Sequence, residues 1–204
     1  MTVSDPKADL LAYLQEARDA VLWKLDGLSE YDIRRPLTPT ATNLLGLVKH
    51  LAAMEFGYLG DTFGRPPGEA PPWAGDAIQE VEPNVDMWAT AAESREYIIG
   101  WYRRSWAHAD ATIGELGIEA VGRVPWWSPE RARVSLHQIL TRMVAETQRH
   151  AGQADIVREL IDGAAGLRAA NSNLPEQDPA WWAAYRDRVE QAAREAGRGE
   201  PSGL

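Results

Sequence analysis

The 204-residue chain contains no cysteine, which removes disulfide cross-links, thiolate metal ligands and a cysteine nucleophile together. Any thiol chemistry must therefore use a thiol brought in by a ligand, and the composition suits a reducing compartment. No run of about twenty apolar residues is present, and the opening Met-Thr-Val-Ser-Asp-Pro-Lys lacks the basic and apolar segments of a secretory leader. A cytoplasmic protein without a membrane span is expected. Dense Lys/Arg runs are also missing, and a formal net charge of -9 repels polyphosphates, so nucleic acid is disfavoured as a partner. The chain has no phosphate-binding glycine loop of the usual patterns, no Gly-x-Ser-x-Gly elbow and no His-Glu-x-x-His motif.

What is present reads as helix. The length suffices for one ordinary core with a tail. Asp5-Pro6 fits an N-cap followed by proline at the first helical position, and Leu11, Leu14, Val21, Leu22 and Leu25 continue at helical spacing towards Gly27. A second helix is predicted from Thr42 to about Gly60 on Leu44, Leu47, Val48, Leu51, Met54 and Tyr58. The stretch from Gly60 to Asn84, rich in proline and glycine, reads as a long irregular connection. A third helix is predicted over Asp86 to Leu116, on Trp88, Ala92, Arg95, Ile99, Tyr102, Trp106 and Ile113. After a second connection holding Val124-Pro125-Trp126-Trp127, Ser135 and Gln138 form a capping-box pattern that opens a fourth helix ending near Gly163. Asp178-Pro179 then starts a short amphipathic segment bearing Trp181, Trp182, Tyr185 and Val189, expected to dock on the bundle or on a partner subunit. With no convincing strand signal, the reading is an all-α four-helix bundle over residues 1–163 with a C-terminal extension over 164–204.

The chemistry concentrates in Glu146-Thr147-Gln148-Arg149-His150. Positions i and i+4 of a helix project side by side, so Glu146 and His150 share a face. That face is apolar: Leu136, Leu140, Met143, Thr147, His150, Ala154, Val157 and Ile161 recur at steps of three and four, with Ile139, Met143, Glu146 and His150 as an adjoining row. An inward-facing glutamate needs a cation or a hydrogen-bond donor, which a metal ion or an arginine could supply. His50, beside the apolar stripe of the second helix, would complete a three-ligand metal site.

Three blocks of sequence resemble the DinB/YfiT-like bundle proteins, in the branch often called DUF664, related to the N-terminal domain of mycothiol-dependent maleylpyruvate isomerase. They are Asn43-Leu44-Leu45-Gly46-Leu47-Val48-Lys49-His50-Leu51, then Val124-Pro125-Trp126-Trp127, and the run from Glu146 through Gln153-Ala154-Asp155 to Gly163. The resemblance implies a divalent metal, zinc or nickel, on His50, Glu146 and His150. It also implies a mycothiol-like thiol as co-substrate, a small-molecule electrophile and a homodimer. Many relatives carry histidine where this chain has Arg142 and Gln153, so neither an added acid-base role nor support of the ligands from behind is implied at those positions here. The isomerase relative has a further domain contributing to its active site, where this chain has the short Trp-rich segment, so maleylpyruvate isomerisation is not the expected reaction.

Three protein ligands leave an ion at least one free position, as in catalytic zinc sites. A thiol there favours S-transfer, which the resemblance prefers; water there favours hydrolysis, and a closed or vestigial site favours a non-catalytic dimeric bundle. Asp155 and Arg158 are expected to form a structural ion pair or helix-surface contact, with a role beside the site as the other reading. Arg95 is expected on the inward side of the third helix, where it could neutralise a carboxylate such as Glu146. His108 and His137 read as surface or capping histidines. Trp73, Trp126 and Trp127 lie in connections able to close over the site, Trp126 and Trp127 being the better placed.

Overall fold

A computed structural model describes residues 5–198. Four long helices make the bundle: α1 (Pro6–Trp23), α2 (Leu44–Leu59), α4 (Arg95–Glu115) and α5 (Leu136–Asp162), with a short α3 (Asp76–Val81) in the connection between α2 and α4. Each long helix starts on a side chain that accepts an otherwise orphaned backbone N–H: Asp5 for α1, Asn43 for α2, Ser94 for α4 and Ser135 for α5. At Ser135 the reciprocal bond from Gln138 completes the capping box that the sequence predicts. Helix α2 packs mainly on α4 and α1 mainly on α5, while contacts between α2 and α5 join the two pairs. The fold is the expected all-α bundle, and the seam between α2 and α5 is where the candidate ligands meet.

Two expectations are corrected. The third long helix starts at Arg95 rather than Asp86, because the apolar period through Trp88 and Ala92 does not face a core: Trp88 is 44% exposed and Ala92 is also exposed. In place of helix there is a 3-10 turn, Val85–Met87, and a loop leading to the Ser94 cap. The second correction is a small antiparallel hairpin, β1 (Val121–Arg123) with β2 (Arg133–Ser135), whose loop carries Trp126 and Trp127. Strands of three residues with one buried side each leave too little alternation to be read. The hairpin lies on a second 3-10 turn, Asp61–Phe63, so closely that a Cβ on Gly122 would come 2.5 Å from the Thr62 carbonyl oxygen.

The core is apolar along the predicted stripes, with Leu14, Leu45, Leu47, Val48, Leu51, Ile98, Leu136, Leu140 and Met143 removed from solvent. Four cations are buried with them, Arg158 on Asp162 among them, and each meets a carboxylate, as removal of a charge from water demands. Arg18 forms a two-bond fork with Glu55, at 2.9 and 2.7 Å, and reaches Asp110; Lys24 pairs with Asp155; Lys49 pairs with Glu93.

The first compact unit of the chain runs to Ser172, and the second begins at Asn173. Residues just beyond α5 stay with the first because Trp23 Nε1 donates to the Leu167 carbonyl and the Gly166 N–H donates to Asp155. The second unit holds α6 (Pro179–Gly197), capped by Asp178, on which Trp181 stacks against Tyr185 at 5.3 Å with Trp182 edge-on to both.

Candidate metal centre

The site begins with a missing side chain on α2. Asn43 caps the helix by accepting the Gly46 N–H at 2.8 Å, and its amide nitrogen donates to the Met87 carbonyl at 3.1 Å. A Cβ on Gly46 would lie 1.8 Å from that same carbonyl oxygen, so only glycine lets the Val85–Met87 turn lie against the helix. Asn84, at φ 64°, provides the left-handed residue from which the turn starts, a conformation asparagine tolerates better than most. The turn thereby brings Asp86 to His50, one helical turn beyond Gly46, and the Asp86 carboxylate accepts from His50 Nδ1 at 2.6 Å.

Helix α5 supplies the rest. Glu146 and His150 stand side by side as their spacing requires, with His150 Nε2 3.1 Å from Glu146 Oε1. His50 Nε2 reaches the same oxygen from α2 at 3.5 Å, and the two imidazoles lie edge to face with centroids 4.9 Å apart. Gln153, three residues past His150, accepts from its Nδ1 at 2.7 Å. His150 is nearly buried, whereas the Glu146 side chain is 26% exposed and stands at the border of the core stripe rather than inside it.

These contacts set the charges. Burial works to lower the His50 pKa, but hydrogen bonds to Asp86 and Glu146, with their negative charge, prevail and hold it at about 9. The hydrogen bond from His50, helped by His150 and opposed by partial burial, draws Glu146 down to about 2. Burial pushes Asp86 up, yet its hydrogen bonds with His50 and Gln79 leave it below the usual aspartate value.

The donor set fits a divalent ion. One ligand atom from each of His50, Glu146 and His150 lies within 4.8 Å of the others. Both imidazoles give their Nδ1 proton to an oxygen, Asp86 or Gln153, which in the neutral ring leaves the Nε2 lone pair directed at the shared space. Two imidazole nitrogens and a carboxylate are a known zinc donor set with an open position.

Of the other residues singled out in the sequence, most are structural. Arg95 does not approach Glu146; at the start of α4 it donates to Glu30 and to the Leu25 and Leu28 carbonyls. Asp155 binds Lys24 and the Gly166 N–H, and Arg158 grips Asp162 and the Lys24 and Asp26 carbonyls, so the two do not pair with each other. His108 meets the Arg65 carbonyl, and His137 is exposed on the first turn of α5. Trp73 is buried, donating to the Lys49 carbonyl, while Trp126 and Trp127 pack on Tyr58. Asp86 is the contact that sequence reading missed: assigned to a helix that is not there, it had only the turn-forming Pro83-Asn84 before it as a signal. Gln153, where the resemblance implied no role, supports His150 all the same; its signal was the i, i+3 spacing that places the two on one face.

Comparison with known proteins adds a lineage to this geometry. A family model described as mycothiol-S-transferase matches residues 9–163. No curated protein matches the chain. Among solved structures, the crystal structure of a conserved protein from Enterococcus faecalis is similar with a TM-score of 0.56 at 14% identity, covering 79% of this chain and 100% of that one. At that identity the likeness concerns the fold.

Proposed function

This chain belongs to the mycothiol S-transferase family, within the DinB/YfiT-like proteins, and from that premise we propose that it is a divalent-metal-dependent enzyme joining a mycothiol-like thiol to a small electrophile. The observation that carries the reading is the convergence of His50 Nε2 and His150 Nε2 on one Glu146 oxygen, with both Nδ1 atoms held from behind. His50, Glu146 and His150 would hold the ion, zinc or nickel being among those that two imidazoles suit. When bound, such an ion lowers the pKa of a coordinated thiol and so supplies the nucleophile at neutral pH. The chain supplies the remainder. Asp86 and Gln153 fix the ring orientations, and Glu146, ionised far below neutrality, offers its charge without waiting on pH. With no cysteine of its own, the protein depends on the external thiol for sulfur. In the overall reaction the sulfur lone pair forms a C–S bond, the leaving group departs with the bonding pair, and the thiol proton passes to water.

The test is metal content per chain in protein purified without an affinity tag, for wild type and His50→Ala, followed by thiol titration into a cobalt-substituted sample. Near-stoichiometric metal in the wild type, its loss in the variant and a sulfur-to-cobalt charge-transfer band on adding thiol are the expected results. Metal without the band would turn the reading towards hydrolysis or a structural ion. No metal after reconstitution would end it.

A further inference from the structure

Beyond His50, the same face of α2 carries Ala53, Met54 and Gly57, three, four and seven residues on. A cavity of about 410 Å³ opens over them, within the range of small-molecule sites. Its far wall is the proline-rich connection, with Pro66, Pro67 and Pro71, and Trp126 closes one side. Asp86, which holds His50, also lines it, so the cavity reaches the residue that orients a ligand of the three-donor cluster. Gly57 explains how the indole comes so close: a Cβ there would lie 2.8 Å from the Trp126 ring, so glycine gives Trp126 its seat on the helix.

The wall is chemically one-sided. Besides Asp86 its polar groups are Asp61 and Gln79, and both charges are negative. Arg131 and Arg142 line a separate cavity that shares Trp126 as a wall. The lining itself thus offers an anion two carboxylates and no cation, His50 being bound to Asp86 and Lys49, over the Trp73 ring, to Glu93, whereas an apolar ring would meet prolines, alanines, Met54 and an indole face.

We propose that this cavity is the subsite for the electrophile and that it selects an uncharged, flat, apolar group such as a fused bicyclic aromatic. The proposal rests on the S-transferase reading for its chemistry and on the cavity alone for its specificity. For an arylmethyl halide, the thiol sulfur forms the bond to the benzylic-type carbon, the halide leaves with the C–halogen pair, and the thiol proton goes to water.

The full-length, metal-loaded protein is assayed with mycothiol against 2-(bromomethyl)naphthalene and against bromoacetate, each corrected for its uncatalysed rate. Binding of the unreactive naphthalene-2-methanol is measured separately by saturation-transfer NMR. The naphthyl compound is expected to show a kcat/KM at least about tenfold above that of bromoacetate. Ala70→Trp, which adds an indole at an exposed loop position on the cavity wall, is expected to lower that ratio and weaken naphthalene-2-methanol binding about tenfold. Trp126→Ala, which removes the side wall, should also weaken binding and serves if Ala70→Trp loses its helical circular dichroism. A preference for bromoacetate, no binding of naphthalene-2-methanol, or binding that neither variant alters overturns the subsite. If the alcohol binds and the variants weaken it while no electrophile is turned over with mycothiol, the cavity assignment stands and the S-transferase reading falls.

Discussion

Helix α2 carries two polar clusters five residues apart that solve opposite problems. At Glu55 a carboxylate and the Arg18 guanidinium are both fully removed from solvent and bond each other, with Arg18 donating its remaining bonds to Asp110 and Gln15. At His50 the atoms that face one another are, once the imidazole proton is displaced, all electron-pair donors, two imidazole nitrogens and a carboxylate that keeps an exposed side. The two glutamates respond accordingly: burial raises Glu55 to about 7 even against Arg18, while the histidines draw Glu146 down to about 2. A structural polar cluster pairs a permanent donor with an acceptor and closes, whereas this one gathers groups that become ligands on losing a proton and stays open. The difference is visible before any ion is considered.

Breaking the closed cluster should have the largest effect. Glu55→Ala leaves Arg18 buried against a void, and a loss of about 3–5 kcal/mol is expected in chemical denaturation. Replacing both partners with apolar residues, Arg18→Met with Glu55→Leu, should restore most of that loss; if the double variant is no better than the single, charge matching is not what the cluster provides. In the open cluster, Asp86→Ala should leave stability nearly intact but weaken metal binding by about 10- to 100-fold, measured by competition with a chelator. An unchanged affinity would mean that His50 needs no orientation from behind.

A third pair sharpens the comparison from the acid side. Glu93 accepts from Lys49 and from the Thr90 N–H, and although burial opposes them these bonds hold its pKa below the ordinary 4.5. Its contribution to stability is therefore present above about pH 4.5, where the unfolded chain also has it ionised, and is lost as pH falls through the lower folded value. Glu93→Gln should cost about 1 kcal/mol at neutral pH, with the difference from wild type shrinking below pH 4.5 in thermal melts. A difference that stays constant down to pH 3 would remove Glu93 as the titrating group.

The convergence of His50, Glu146 and His150 was legible because each sits on a long helix whose register is dictated by its apolar residues. Leu136, Leu140, Met143 and Thr147 fix the rotation of α5, and that rotation alone sets Glu146 beside His150. Leu47 and Leu51 do the same for His50 on α2. Asp86 was not legible, because a 3-10 turn of three residues has no period, and the chance spacing of Trp88, Ala92 and Ile99 imitates one. Arg95 was misjudged for the same reason: with the helix starting later than predicted, it lies at the helix end near Glu30 instead of along an inner face. The hairpin escaped notice because each strand buries a single residue, and its main anchor is the absent side chain of Gly122 on the turn beneath.

Gly46 has a consequence for anyone who would recognise or transplant this cluster by its donor atoms. A chain with His50, Glu146, His150 and Asp86 all in place but alanine at position 46 would pass such an inspection, and yet the Met87 carbonyl would have nowhere to lie, with a new carbon 1.8 Å away. The turn would lift, and the acceptor behind His50 would leave with it. Four side chains are therefore an incomplete specification of the site, which also has to be given a hole of one methyl group, in the right turn of the right helix.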